Sequence, residues 1–322
     1  MECYKNKNEL SEYSNCLLCP RKCGVDRNVV SGYCREKSTL HVSRAALHMW
    51  EEPCISGTNG SGTVFFSGCN MGCVFCQNRA ISRGQIGKYI TIDRLVDIFF
   101  ELEDKGANNI NLVTGDMFIP TIRTAIERAK DKGIGIPFLF NTSSYLALDA
   151  VKSLDGLIDI YLPDMKYIRE EDAIRYSAAR GYVDASKAAI EEMVRQCPKC
   201  EFEREQIKGK ASETEATDGN VDIMKKGVVV RHLLMPGMLI QAKLIVKYLY
   251  DKYGDNIYIS LMNQYTPNNE LADYPEIATK VSDRDYNSLI DYAAQIGVVN
   301  GFMQVGETAK ESFIPEFDCE GV

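Results

Sequence analysis

Six short apolar runs, separated by segments of helical period, constrain the fold of this chain more than any other feature. The runs are Thr63–Phe66, Ile110–Val113, Ile136–Phe140, Leu157–Leu162, Val228–Leu234 and Ile257–Met262. Each is rich in Val, Ile, Leu, Phe or Tyr and bounded by turn residues, which marks strands buried on both faces. Between them, apolar residues recur at helical spacing: Ile92, Leu95, Val96, Phe99 and Leu102, then Ile122, Ala125, Ile126 and Ala129. Ala185, Ala189, Met193 and Val194 form a third set, and Leu244, Ile245, Tyr248 and Leu249 a fourth. Gly106 and Gly133 stand where the first two helices must stop. Strands alternating with helices give a parallel α/β sheet with right-handed crossovers. Periodicity fits both an open doubly wound sheet and a partial barrel.

The chain has 322 residues, 45% of them apolar and 25% charged, which excludes wholesale disorder and allows a well-buried core. The net charge of −8 argues against general nucleic-acid binding. No apolar run reaches the roughly 18 residues of a membrane span, and Met1 to Ser11 is too polar for a signal peptide. A cytoplasmic, reducing compartment and no membrane partner are therefore expected. Residues 1–60 read as an irregular, Cys-rich arm, with the glycine-rich stretch Ser56–Gly62 as a turn. Residues 61–270 carry the strands, interrupted by a polar, solvated insertion at about 197–224, and 271–322 read as a C-terminal extension with one helix near Tyr286–Ile296.

Seven of the twelve cysteines fall in two arrays, Cys16, Cys19, Cys23 and Cys34, then Cys69, Cys73 and Cys76. Thiol clusters in a reducing compartment are more often metal ligands than bridges. The second array, in Ser67-Gly68-Cys69-Asn70-Met71-Gly72-Cys73-Val74-Phe75-Cys76-Gln77-Asn78, has the spacing C-x3-C-x2-C directly after the first strand. Three thiolates on one loop can hold three irons of a cubane cluster and leave the fourth open to chemistry. A zinc site, which would want a fourth ligand, and three core thiols are the alternatives.

This loop, with an aromatic residue before its last cysteine, resembles the signature of the radical S-adenosylmethionine (SAM) superfamily. The chain is most similar to its pyruvate formate-lyase activating enzyme-like branch, whose members begin with a cysteine array. The resemblance is carried by Cys16–Cys34, His48–Gly57, Gly62–Asn78, Asn109–Val113, Asn141–Tyr145, Asp159–Tyr167, Val229–Pro236, Tyr258–Pro267 and Gly301–Pro315. It implies a partial (β/α)6 TIM-like barrel and a [4Fe–4S] cluster on Cys69, Cys73 and Cys76, with SAM chelated to the open iron. It also implies one-electron cleavage of SAM to a 5′-deoxyadenosyl radical, and abstraction of a hydrogen atom from a substrate. A flavodoxin or ferredoxin as electron donor, and a glycyl radical enzyme as protein substrate, belong to the same expectation. Another peptide, an RNA base or a small metabolite is the rival substrate, and a non-enzymatic electron carrier or zinc-stabilised binding protein the reading from another class.

Several residues are then candidates to hold SAM. Thr114-Gly115-Asp116-Met117 stands where related enzymes carry Gly-Gly-Glu-Pro, so Gly115 would allow close approach and Asp116 would accept from the amino group. Asn141 and Ser143 stand in a polar segment that faces the cofactor in the family. Asp164 and Lys166 match an Asp-x-Lys motif in which the ammonium would partner the methionyl carboxylate and the aspartate hold the lysine or a cation, with a surface ion pair as the alternative. Arg231 ends a buried apolar run and wants a partner, either this carboxylate or a structural ion pair. Gln264 is placed to reach the ribose, and Phe75 to stack near the adenine. In the first array Gly24, Gly32 and Pro20 supply the turns that let four thiols converge, on zinc or on a second iron–sulfur cluster. Cys197 and Cys200 make half a site and read as solvent-exposed thiols or a redox-active pair; Cys3, Cys54 and Cys319 stand singly. His48 reads as a polar anchor, His232 as a core histidine, and His41 carries no assignment.

Overall fold

The computed structural model describes residues 7–206, 220–304 and 314–322. Cys3, the middle of the expected insertion (207–219) and residues 305–313 of the segment Gly301–Pro315 lie outside the described residues. Ten strands form one sheet: β1 Leu40–His48, β2 Ser61–Phe66, β3 Lys88–Ile90, β4 Ile110–Val113, β5 Phe138–Thr142, β6 Ile160–Pro163, β7 Glu201–Gln206, β8 Asn220–Leu233, β9 Tyr258–Met262 and β10 Gly301–Met303. β2, β4, β5, β6, β8, β9 and β10 lie side by side in chain order, each neighbouring pair parallel. A doubly wound sheet reverses its strand order at a switch point. This order never reverses, so the architecture is the partial (β/α) barrel.

Local chemistry accounts for the elements. β2, β4, β5 and β6 are buried at every position, as short strands covered on both faces must be. The helix Ile92–Asp104 begins at Thr91, whose side chain accepts from Arg94 N, and buries Leu95, Val96, Ile98, Phe99 and Leu102. Such a cap is worth about 1 kcal/mol. The helix Ile119–Asp131 carries Pro within its first turn, where no hydrogen bond is lost, and buries Ile122, Ala125, Ile126 and Ala129.

Three expectations are corrected. The first sixty residues are not irregular throughout: β1 runs antiparallel to β2 and joins the sheet. Its Ser43 hid it, because a polar side chain breaks an apolar run, and Thr63 of β2 stands opposite its Ala46. Ser43 and Thr63 are buried and satisfied by the neighbouring backbone, Ser43 Oγ donating to Phe65 O and Thr63 Oγ1 to Ala46 O. The flanks of the polar insertion are not loop: β7 pairs antiparallel with the first half of β8, which therefore starts eight residues before the apolar run at Val228. Among the described residues β7 pairs with β8 alone, and its Glu201, Phe202, Glu203 and Arg204 are exposed. The C-terminal extension holds more than one helix, since β10 extends the parallel sheet. The tail returns to β1, where Ala45 N donates to Glu320 O, Cys319 N donates to Ser43 O, and Phe317 packs on Phe65. No helix among the described residues is long and apolar enough to cross a membrane.

Candidate metal and cofactor site

The carboxyl ends of the parallel strands open on a cavity of about 1100 Å3. Barrels assemble their sites at this end. The loop leaving β2 is fixed by main-chain bonds to two separate segments: Gly68 N to Ile81 O, and Gly72 N and Val74 N to Ser177 O and Tyr176 O. Gly68 has φ +84°, and a Cβ there would lie 2.3 Å from Glu36 Cγ and 2.8 Å from Cys34 O. Only glycine fits this turn. The loop aims Cys69, Cys73 and Cys76 at the cavity.

The thiols are poised for a cation. Burial, then the neighbouring Cys73 and Cys76, push the Cys69 thiol well above its ordinary range. Burial pushes Cys73 up to about 11, against the pull of the Lys166 ammonium. Crowded, desolvated thiolates cannot coexist without positive charge among them. Ser177 Oγ donates to Cys73 Sγ at 3.0 Å and Met71 N to Cys69 Sγ at 3.4 Å, the hydrogen bonds a metal-bound thiolate accepts. Among the described residues no three Cys, His, Asp or Glu groups are placed to share a single metal ion. Three thiols on one loop fit three corners of a cubane cluster.

Opposite the thiols stands a buried ionic wall. Arg231 Nε donates to Asp164 Oδ1 at 2.9 Å, Nη2 to Asn141 Oδ1 at 2.6 Å and Nη1 to Glu51 Oε2 at 3.3 Å. Lys166 Nζ donates to the other oxygen of Asp164 at 2.5 Å. Burial opposes the Asp164 charge, but Arg231 and Lys166 together hold its carboxyl below the usual range. Burial likewise opposes the Lys166 charge, and Asp164 with Cys73 keeps the ammonium above its ordinary value. Burial raises Glu51 despite Arg231, Asn111 and Asn141. The neighbouring Glu52 is raised by burial too, and its Oε2 is buried without a partner.

The candidates from sequence fall into two places. Phe75, Asn141, Ser143, Asp164, Lys166, Arg231 and Gln264 line the large cavity with the three cysteines. Ser143 Oγ has no partner, Phe75 packs against Tyr265, and Gln264 O accepts from Gln77 Nε2. Gly115 and Asp116 lie behind the wall: a Cβ on Gly115 would strike Ile122 and Phe66, and Asp116 accepts from Thr142 Oγ1. Burial pushes Asp116 up to about 7, and its Oδ2 is unpartnered. Thr114, at φ +58°, reaches the cavity where Gly115 does not. Cys16, Cys19, Cys23 and Cys34 line a separate small cavity that Asp116 also faces.

Residue reasoning missed Glu51, Glu52 and Ser177. The only signal was an acidic pair before Pro53, in a stretch assigned to the arm. His48 also lines the large cavity. His232 is buried off it, its Nδ1 bonded to Met165 O at 2.8 Å, and burial pushes it down to about 4. Cys197 and Cys200 sit elsewhere, Cys197 Sγ 3.4 Å from Asp159 O and Cys200 Sγ 3.6 Å from Asn256 O. Of the two thiols expected to face solvent, Cys197 is buried.

Residues 63–203 match the radical SAM superfamily. An uncharacterised protein of Methanocaldococcus jannaschii is 27% identical over 288 residues, covering 87% of this chain and 75% of that protein. SuiB of Streptococcus suis, in a crystal structure with S-adenosylmethionine, is similar with TM-score 0.47 and 13% identity over 74% of this chain. The chain spans about half, 48%, of SuiB's length. A domain of pyruvate-formate lyase-activating enzyme from Bacteroides vulgatus gives TM-score 0.37 and 11% identity, covering 58% of this chain and 91% of that one. The [FeFe]-hydrogenase maturase HydG from Carboxydothermus hydrogenoformans gives 0.42 and 15%, covering 77% and 58%.

Proposed function

We propose that this chain, whose residues 63–203 match the radical SAM superfamily, is an enzyme that cleaves SAM reductively and takes a hydrogen atom from a substrate held in the barrel. The observation that carries this reading is the shared cavity, in which Cys69, Cys73 and Cys76 face Asp164, Lys166 and Arg231. When bound, the cluster and SAM supply the one-electron cleavage that yields a 5′-deoxyadenosyl radical.

The chain's own part is placement and exclusion. Cys69, Cys73 and Cys76 hold the cluster. Ser177 stabilises the charge on Cys73 Sγ by donating to it. Lys166 offers its ammonium to the methionyl carboxylate, and Asp164 fixes that ammonium by accepting from it. Phe75 and Gln264 bound the end of the cavity given to the nucleoside. The first cysteine array takes a second metal centre.

As an activator of a glycyl radical enzyme, the protein would receive a glycine of its partner in this cavity and an electron from a flavodoxin or ferredoxin. Glu51 and Glu52 favour a second reading. They are ionisable groups on the cavity wall, and a main-chain glycine has no use for them. A small or side-chain substrate with a cationic group does.

The test is anaerobic reconstitution with iron and sulfide, then dithionite and SAM. The expected product is 5′-deoxyadenosine, lost in Cys73→Ala. No nucleoside from a fully loaded, reduced protein overturns the reading. A glycyl radical signal by electron paramagnetic resonance on a candidate partner enzyme decides for the first substrate class, and its absence with nucleoside still formed decides for the second.

A further inference from the structure

Behind the cluster loop, one buried tyrosine has no part in the SAM cavity. Tyr167 is 2% exposed, and its hydroxyl lies 2.6 Å from Ser177 Oγ. Ser177, fully buried, is the last residue of the helix Glu170–Ser177 and donates to Cys73 Sγ at 3.0 Å. A phenol, a hydroxyl and a thiol from three segments of the chain thus stand in series.

The contact is held from both sides. Gly72 N donates to Ser177 O at 3.0 Å and Val74 N to Tyr176 O at 2.9 Å, so both neighbours of Cys73 are bonded to the main chain beside Ser177. Arg21 ties the end of the helix to the cluster loop, its Nη1 donating to Ala178 O and its Nε to Asn70 O at 3.0 Å. Ala178, at φ +48°, turns the chain out of the helix immediately after Ser177. On the far side, the Tyr167 ring stands edge-on to Tyr182, with centroids 5.4 Å apart. Tyr182 is bonded in turn to the segment that carries Lys166. Lys166 N donates to its hydroxyl at 2.9 Å, and the hydroxyl donates to Asp164 O at 3.0 Å.

Proton counting gives the series a direction. A phenol and a serine hydroxyl carry one proton each. A thiolate bound to iron carries none and can only accept. With Cys73 as a ligand, the Ser177 proton goes to Cys73 Sγ, so the bond between Tyr167 and Ser177 must be donated by the phenol. Burial, and then the charge of Cys73, push the Tyr167 phenol well above its ordinary range, which keeps that proton in place. A hydroxyl that accepts at its oxygen donates more strongly from its proton, because hydrogen bonds in series polarise one another.

We infer that Tyr167 is a positioning residue of the cluster, orienting and polarising the Ser177 hydroxyl toward Cys73 Sγ and so making the cluster easier to reduce. Hydrogen bonds to a cluster's sulfurs tune its potential, and they favour the reduced form because it is the more negative one. The inference rests on the proposed cluster at Cys69, Cys73 and Cys76, and not on the identity of the substrate.

The experiment is an anaerobic redox titration of the reconstituted full chain, read by electron paramagnetic resonance at matched iron and sulfide content. It compares native protein with Tyr167→Phe, Ser177→Ala and the double variant. Tyr167→Phe is expected to make the potential more negative, by less than Ser177→Ala does, and to add nothing in the Ser177→Ala background. An unmoved potential in Tyr167→Phe overturns the inference. So does a double variant shifted by the sum of the two single shifts, because the phenol would then act without Ser177. Should Tyr167→Phe fail to load its cluster, 3-fluorotyrosine at position 167, a stronger donor of almost the same shape, decides. It is expected to make the potential less negative, and an unmoved potential overturns the inference. A native protein that takes up no cluster overturns this inference together with the proposed function. A fully loaded native protein that makes no 5′-deoxyadenosine removes only the proposed activity, and the potentials still decide.

Discussion

Replacing Arg231 with Met tests whether the ionic wall of the cavity is built as described. Arg231 gives three hydrogen bonds, to Asp164, Asn141 and Glu51, at 2.9, 2.6 and 3.3 Å. Its side chain is 14% exposed, and those of Glu51 and Asp164 10% and 13%. Breaking a buried pair by removing one partner costs about 3–5 kcal/mol, because the other charge stays behind. For a chain of 322 residues, an unfolding entropy of about 2.1 cal/mol/K per residue turns this into a fall in Tm of about 4–7 °C. The pH dependence carries the sharper test. Without Arg231, Glu51 rises further above its unfolded value, and Asp164 keeps only Lys166. A carboxyl raised in the folded state costs nothing while both states are protonated, and the cost grows as pH climbs from its unfolded value to its folded one, above which it is complete. The deficit must therefore widen between pH 5.5 and pH 8, by about 1.4 kcal/mol, or about 2 °C, for each pKa unit of rise. The assay is anaerobic thermal unfolding at both pH values with iron content matched. Arg204→Met is the control: that arginine pairs with Asp222 at 3.4 Å on the surface, both side chains more than 60% exposed, where a pair is worth under about 1 kcal/mol. A loss in Arg231→Met no greater than in the control, or one equal at both pH values, refutes the argument.

Three further outcomes follow from the same geometry. Lys166→Met is expected to weaken SAM binding about tenfold to a hundredfold by calorimetry, as loss of a charge-assisted bond of about 1.5–3 kcal/mol requires; unchanged affinity excludes Lys166 from the carboxylate. Ser177→Ala removes the donor 3.0 Å from Cys73 Sγ, so the cluster's reduction potential, read by redox titration, is expected to become more negative, and an unmoved potential refutes that contact. Gly68→Ala forces a Cβ into Glu36 and Cys34 O at a positive φ; a loss of about 1–3 kcal/mol is expected, with reduced iron uptake, and full stability with full iron would show that the turn tolerates a side chain.

The strands that make the barrel were legible because they are buried on both faces and must be apolar along their length. β4 matches its apolar run residue for residue, Ile110–Val113. β1 was not legible, because its buried Ser43 is satisfied by the backbone of the neighbouring strand β2, a partner that its own local pattern does not show. The hairpin of β7 and β8 was hidden for the opposite reason, as its solvated side chains carry no burial pattern. In the site, spacing alone singled out Cys69, Cys73 and Cys76, since three ligands on one loop are a local property. Asp164, Lys166 and Arg231 could be nominated from the ends of strands, and Asp164 paired with Lys166 two residues on, but Arg231 could not be paired with Asp164.

The sequence by itself therefore determined the apolar parallel strands, the helices between them and the C-x3-C-x2-C loop, all of which depend on residues close together in the chain. The direction of winding was settled by the order of seven parallel strands, a long-range property that periodicity does not encode. Tertiary structure alone brought Glu51, from the segment after β1, to Arg231 on β8, 180 residues away. It also sent Asp116 behind the wall, to the cavity of the first cysteine array, while its neighbour Thr114 took the place facing the large one. The physical reason is the same in each case. A buried charge finds its partner by the packing of whole strands, and no local pattern records which one it will meet.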